Sequence, residues 1–150
     1  MSSFERKESL TKQIFIECSP KTLFSFFTEP DKMVRWIGRN VLLEPIVRGK
    51  YRIDINGLDI ASGEFVEIKP YKKVVWTWGW QNSDIMPPGS STVEFILTPQ
   101  DNGTLLELNH YNLPSEKTTS NNNGWNHYMD RLQLLAEGFD PGLDPWSIKK

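Results

Sequence analysis

The chain of 150 residues and 17.4 kDa has room for one domain, and it can bury a core without a disulfide or a metal to hold it. Its 17 Lys and Arg against 19 Asp and Glu leave a net charge of −2, which excludes the cationic surplus behind nonspecific binding to nucleic acid or to an anionic membrane. A single cysteine, Cys18, excludes an internal disulfide and any multi-cysteine zinc or iron–sulfur site.

The stretch Met1 to Glu8 carries charges with no apolar run behind them, and no 18-residue apolar run follows anywhere. The expectation is a cytoplasmic protein with neither a signal peptide nor a membrane-spanning helix. Thr11 to Cys18 is a strand candidate, with Phe15 between Ile14 and Ile16. Ser19-Pro20 reads as an N-cap followed by proline at the first helical position. Leu23, Phe24, Phe26 and Phe27 continue at helical spacing until Glu29-Pro30 interrupts, because a residue before proline disfavours the helical region. A second short helix from Pro30 carries Met33, Val34, Trp36 and Ile37, and Gly38 ends it.

From Val41 the pattern changes to period two. Tyr51, Ile53 and Ile55 alternate with Arg52 and Asp54, as in a half-buried strand, and Asn56-Gly57 is a hairpin signal. Strands are predicted over Ile60–Lys69, Val74–Trp80, Thr92–Thr98 and Leu105–Tyr111, with turns at Pro70-Tyr71-Lys72 and Asp101-Asn102-Gly103. Trp76, Trp78 and Trp80 share one strand face, as do Val93, Phe95 and Leu97, and as do Leu106, Leu108 and His110. Asn82–Ser91, with Pro87-Pro88-Gly89, is a loop. Pro114–Asn123 is polar and reads as a mobile loop or irregular lead-in. Trp125, Tyr128, Met129, Leu132, Leu135 and Ala136 then recur at helical spacing up to Gly138. The remaining Phe139–Lys150, with Pro141, Gly142 and Pro145, is expected to be extended, with Leu143 and Trp146 free to dock.

This order of a strand, two short helices, a long antiparallel meander and a final amphipathic helix resembles the helix-grip fold of the START and birch-pollen-allergen (SRPBCC) superfamily. Thr28-Glu29-Pro30-Asp31 with Trp36 is similar to that family's "T-D-P" turn and tryptophan. Gly63 to Pro70 resembles its "G-x-V-x-E-I-x-P" strand, and Val75-Trp76-Thr77-Trp78 its "L-V-x-T-W". Ser91-Thr92-Val93 and Gly124-Trp125 match the pairs that open its later strand and last helix. The likeness runs from about Leu10 to Gly138 and is greatest to the subfamily of the C-terminal domain of the activator of heat-shock-protein-90 ATPase. Where that family often has a double glycine, this chain has Arg48-Gly49-Lys50. The resemblance implies an α+β fold: a curved antiparallel sheet of about six to seven strands wrapped round the last helix. It implies a single helix-grip domain over 1–138 and an extended tail over 139–150. It also implies a cavity between sheet and helix, and it leaves a chaperone partner open.

The tryptophan stripe is the most informative local feature. Indoles side by side offer flat apolar faces and one hydrogen-bond donor each, which suits an aromatic or lipid-like ligand or a packed core. The candidate ligand-binding residues are Trp76, Trp78, Trp80, Tyr51, Phe95, His110, Trp125 and Met129. His110, among apolar neighbours, is a pocket acid–base candidate or a satisfied core histidine. His127 falls off the apolar stripe and reads as solvated, and Arg131 as surface. Asp54, Glu67, Glu94 and Glu107 read as a solvated convex face, with Glu64 a candidate polar anchor in the cavity. No H-x-x-x-H, C-x-x-C, G-x-S-x-G or G-x-G-x-x-G occurs, so neither a metal nor a cofactor is expected. The expected function is binding of a hydrophobic small molecule, with loops 82–91 and 114–123 as gates. The alternatives are a co-chaperone-like interaction module and a cyclase- or hydratase-type enzyme using His110. A homodimer stays open; nucleic acid and membrane are not expected partners.

Overall fold

The computed structural model describes residues 8–148. The expectation about a leader concerns residues outside that range. Strand β1 (Glu8–Ile16) is followed by helices α1 (Pro20–Thr28) and α2 (Pro30–Met33). Strands β2 (Asn40–Leu43), β3 (Lys50–Asp54), β4 (Ile60–Lys69), β5 (Lys73–Trp78), β6 (Ser91–Gln100) and β7 (Gly103–Tyr111) come next, then helix α3 (Thr118–Ala136). The strands form one seven-stranded antiparallel sheet in the order β1-β7-β6-β5-β4-β3-β2. The fold class is thus the expected one: an α+β grip of a curved sheet on a long helix.

Local chemistry explains the helix starts. The Ser19 hydroxyl accepts from the Thr22 amide at 3.2 Å, and Pro20 occupies the first helical position. The α2 turn runs on to Ile37, whose amide donates to the Met33 carbonyl at 3.0 Å, and Gly38 leaves it with φ +82°. Leu23, Phe24, Phe26 and Phe27 of α1 and Trp125, Met129 and Leu132 of α3 enter one core with the inner face of the sheet.

Three local expectations are corrected. Asn56-Gly57 is not a two-residue hairpin turn. Asn56 Oδ1 accepts from the amides of Leu58 and Asp59 at 3.0 and 2.8 Å, which makes a longer loop between β3 and β4. Strand β5 stops at Trp78, and Trp80 forms only an isolated bridge to Ala61. Gly79 is the reason: a Cβ there would lie 1.9 Å from the Pro87 carbonyl oxygen, so the 82–90 loop folds directly onto the strand end. Finally, 114–123 is not a loop but a 3-10 turn, Ser115–Lys117, running into α3. Asn121 accounts for this, because it sits one turn before Trp125, is buried and donates to the Lys117 carbonyl at 2.9 Å.

On the outer face Glu94 is buried rather than solvated. It accepts from Asn109 Nδ2 at 3.0 Å and from the Tyr111 hydroxyl at 2.9 Å, with Lys73 3.5 Å away. The long side chains of Lys73, Asn109 and Tyr111 cover it. Arg131 is also buried, and donates only to backbone carbonyls: Trp36 at 3.1 Å, Pro141 at 3.3 Å, Arg35 at 3.4 Å and Gly142 at 3.0 Å.

Candidate functional site

The middle of the grip is filled by rings. Phe27 packs on Phe95 with centroids 4.5 Å apart, and Trp76 lies 5.6 Å from both Phe65 and Tyr51. The Tyr51 hydroxyl donates to the Thr77 carbonyl at 2.7 Å, which satisfies the one polar atom that ring brings inside. Trp76, Phe95 and Met129 are buried in the core with these rings. Tyr51 borders a groove that also includes Leu42, Leu43, Gly63 and Thr77.

Past that plug, at the end of the grip, lies a cleft of about 730 Å³. Its walls come from Trp78 and Trp80 on the sheet, Asn121 and Trp125 on α3, and Trp146 beyond the helix. Asn56 and Asp59 of the β3–β4 loop, Gln81, and Lys117 at the start of α3 complete the rim. Period two on β5 presents Trp78 inward, and helical spacing on α3 presents Asn121 and Trp125 on one stripe. Trp78 stacks on Tyr51 at 6.0 Å and 20°, and its centroid is 5.1 Å from that of Trp125. Met86, fully buried, anchors the 82–90 loop: its amide and carbonyl bond to Ser83 Oγ and the Trp80 amide at 3.0 and 2.8 Å.

His110 lies directly behind the cleft wall. Trp125 Nε1–H donates to its Nδ1 at 3.0 Å. An indole nitrogen is only a donor, so Nδ1 carries no proton. The Ser91 hydroxyl donates to the Trp78 carbonyl at 2.7 Å, so the Ser91 oxygen accepts from His110 Nε2–H at 2.9 Å. Burial lowers the His110 pKa from 6.5 to about 3. The ring is a neutral strut that aims Trp125, and neither of its partners titrates near neutral pH.

Two buried polar atoms differ from His110 in this respect. The indole N–H groups of Trp76 and Trp78 are buried and meet no acceptor among the described residues. Leaving such a donor unpaired costs about 1–3 kcal/mol. Trp76 is walled in by rings, whereas Trp78 borders the cleft.

Beyond the helix the chain returns across α3. Asp144 Oδ1 lies 2.8 Å from His127 Nε2 and accepts from the Trp146 amide at 2.9 Å, and Oδ2 accepts from the Tyr128 hydroxyl at 2.9 Å. Burial pushes the Asp144 pKa up, but those hydrogen bonds outweigh it and hold the carboxyl below its ordinary value. His127 is therefore paired, not simply solvated, and Trp146 stacks on it at 4.1 Å and 17°. Sequence reasoning missed this clasp, because nothing in the pattern of α3 says that a residue far along the chain faces His127.

Glu64 is not in the cavity: it pairs with Lys50 at 2.7 Å on the surface, and that hydrogen bond lowers its pKa. Burial, then nearby Glu137, raises the Cys18 thiol pKa. Among the described residues, no three His, Cys, Asp or Glu are grouped to hold a metal, and no helix is long and apolar enough to cross a membrane.

The model of the family described as Activator of Hsp90 ATPase homolog 1-like protein matches residues 17–137. The solution structure of an AHSA1-like protein from Rhizobium etli is 37% identical, with a TM-score of 0.73 over 94% of this chain and 89% of that one. An HSP90 activator from Plasmodium falciparum is 26% identical, with a TM-score of 0.67 over 84% of this chain and 95% of that one. The Aha1 dimer from Colwellia psychrerythraea shares the fold at 18% identity, with a TM-score of 0.76 over 86% and 96% of the two chains. No curated protein matches.

Proposed function

The chain belongs to the Activator of Hsp90 ATPase homolog 1-like family, and within that family we propose that it binds a small, flat, largely apolar molecule in the cleft between Trp78, Trp80 and Trp125. The observation that carries this reading is the Trp78 ring at the wall of an aromatic cleft, with its indole N–H buried and without an acceptor among the described residues. A ligand with one hydrogen-bond acceptor on an aromatic body buries its faces against indoles and satisfies that donor once the Trp78 ring turns its N–H edge to the cleft. Apolar burial supplies affinity at about 25 cal/mol per Å², and the single polar contact sets orientation. No proton transfer is assigned to His110, whose two nitrogens are engaged by Ser91 and Trp125. Its setting is taken as cytoplasmic, in keeping with one unpaired cysteine.

The test is titration of intrinsic Trp fluorescence with a panel of polyphenols, fatty acids and aromatic hydrocarbons. Trp78→Phe keeps a flat ring and removes the N–H. It is expected to weaken carbonyl-bearing aromatics ~five- to tenfold and to leave hydrocarbons nearly unchanged. Absence of any saturable response across the panel defeats the proposal.

A second reading is favoured by the 26% identity to the Plasmodium falciparum HSP90 activator over 84% of this chain. Leu42, Ile46 and Val47, on β2 and the loop after it, are exposed and apolar, as an interaction surface requires. Under this reading the chain raises the ATPase rate of the Hsp90 of its own cell, and Ile46→Glu with Val47→Glu abolishes the effect. An unchanged ATPase rate with the wild-type chain removes this reading.

A further inference from the structure

One wall of the cleft comes from neither the sheet nor α3. Pro145 and Trp146 border the cleft, and both lie beyond residues 17–137 matched by the family model. The segment 139–148 pairs with no strand. Side chains of α3 hold it instead. Arg131 donates to the Pro141 and Gly142 carbonyls at 3.3 and 3.0 Å. Asp144 receives the Tyr128 hydroxyl at 2.9 Å and meets His127 Nε2 at 2.8 Å. Trp146 lies flat on His127 at 4.1 Å.

Apolar burial adds little to this attachment, since Phe139 is 61% and Leu143 78% exposed. Gly138 and Gly142, with φ of +94° and +74°, turn the chain back over the helix. On the helix beneath Trp146 stands Gly124, where an added Cβ would meet the indole at 4.0 Å, an ordinary van der Waals contact. A segment held by a few hydrogen bonds and one ring stack opens at a free energy below that of global unfolding.

We propose that residues 139–148 form a strap that closes the cleft over its ligand, with Trp146 as the wall that selects flat molecules and Asp144 as the clasp that positions it. The inference rests on the reading of the cleft as a ligand site. The ligand enters when the clasp opens, and its contact with Trp146 favours the closed strap.

The experiment uses the full chain and 1-anilinonaphthalene-8-sulfonate as the probe, with stopped-flow rates and the NMR signals of the indole N–H groups as readouts. The wild-type chain is expected to bind it saturably, with shifts at Trp78 and Trp125. Trp146→Ala is expected to weaken binding ~tenfold, and Trp146→Phe to restore most of the loss. Asp144→Asn is expected to raise the dissociation rate ~fivefold or more and to quicken exchange of the Trp146 amide proton, while the amide spectrum of the sheet stays in place. Wild-type binding that moves those indole signals but is unchanged in affinity and dissociation rate by Trp146→Ala and Asp144→Asn overturns the strap alone. No saturable binding, or binding that leaves both signals still, overturns the ligand-site reading and the strap with it.

Discussion

His110 shows how one side chain can hold a site without acting in it. Its Nδ1 accepts from Trp125 and its Nε2–H donates to Ser91, whose hydroxyl reaches the Trp78 carbonyl. The two aromatic walls of the cleft are thus joined through one neutral imidazole. Burial lowers its pKa to about 3, whereas in the unfolded chain it titrates at about 6.5. The unfolded state therefore binds the extra proton as pH falls from about 6.5 toward 3, and stability falls with it. Above about 6.5 the contribution is fully present. Urea unfolding from pH 4.5 to 8 is expected to show this slope, and His110→Gln to flatten it. The variant should also lose about 2–4 kcal/mol at pH 7, because the Trp125 and Ser91 groups lose their shared partner. A wild-type slope retained in the variant would assign the pH dependence to other groups. The inward position of His110 was legible from its parity with Leu106 and Leu108. Its partners were not, because Trp125 and Ser91 lie 15 and 19 residues away, the first across the grip on α3 and the second on the neighbouring strand β6.

Among the elements, β4 was the most legible: the strand predicted over Ile60–Lys69 has those bounds in the structure. The ends of β5 and α3 were the least. Trp80 continues the Trp76–Trp78 alternation in sequence, yet the strand ends at Trp78, since the loop carbonyl of Pro87 occupies the space beside Gly79. Propensity alone gives the Thr, Ser and Asn run at the head of α3 no reason to be helical, and burial of Asn121 against Met86 overrides it. These two elements meet at the cleft, so the errors fall where the site is built. Gly79→Ala tests the first of them. The added methyl cannot share space with the Pro87 carbonyl, so the 82–90 loop must lift and withdraw Met86 from the core. The expected cost is about 2–4 kcal/mol in chemical denaturation, with increased amide exchange at Trp80, whose N–H bonds to the Met86 carbonyl at 2.8 Å. A variant as stable as wild type, with Trp80 still protected, would mean that the loop does not seal the strand end.

At the scale of the whole molecule, a curved sheet and a single helix need not meet closely, and the space between them is filled here by rings. The overall architecture was legible because each strand and helix announces one apolar face. The extent of that filling was not, since the same indoles suit a cavity wall and a packed core equally. Trp76 decides between the two. It touches Tyr51, Phe65, Phe27 and Phe95 and lies fully inside. Its indole N–H has no acceptor there, so it contributes volume rather than a hydrogen bond. Trp76→Ala removes most of that volume from rings already pinned elsewhere: Tyr51 by the Thr77 carbonyl, Phe27 by Trp36 and Phe95. Rings so held cannot collapse fully into the gap, and the expected cost is about 3–5 kcal/mol in urea or thermal unfolding. The resulting void is apolar on every side, so it stays dry and should accept benzene or xenon, seen as a gain in melting temperature or as bound density. A loss well under about 2 kcal/mol, together with no uptake of either probe, would mean that the aromatic cluster repacks, and that the grip is closed by adaptable filling rather than by Trp76 itself.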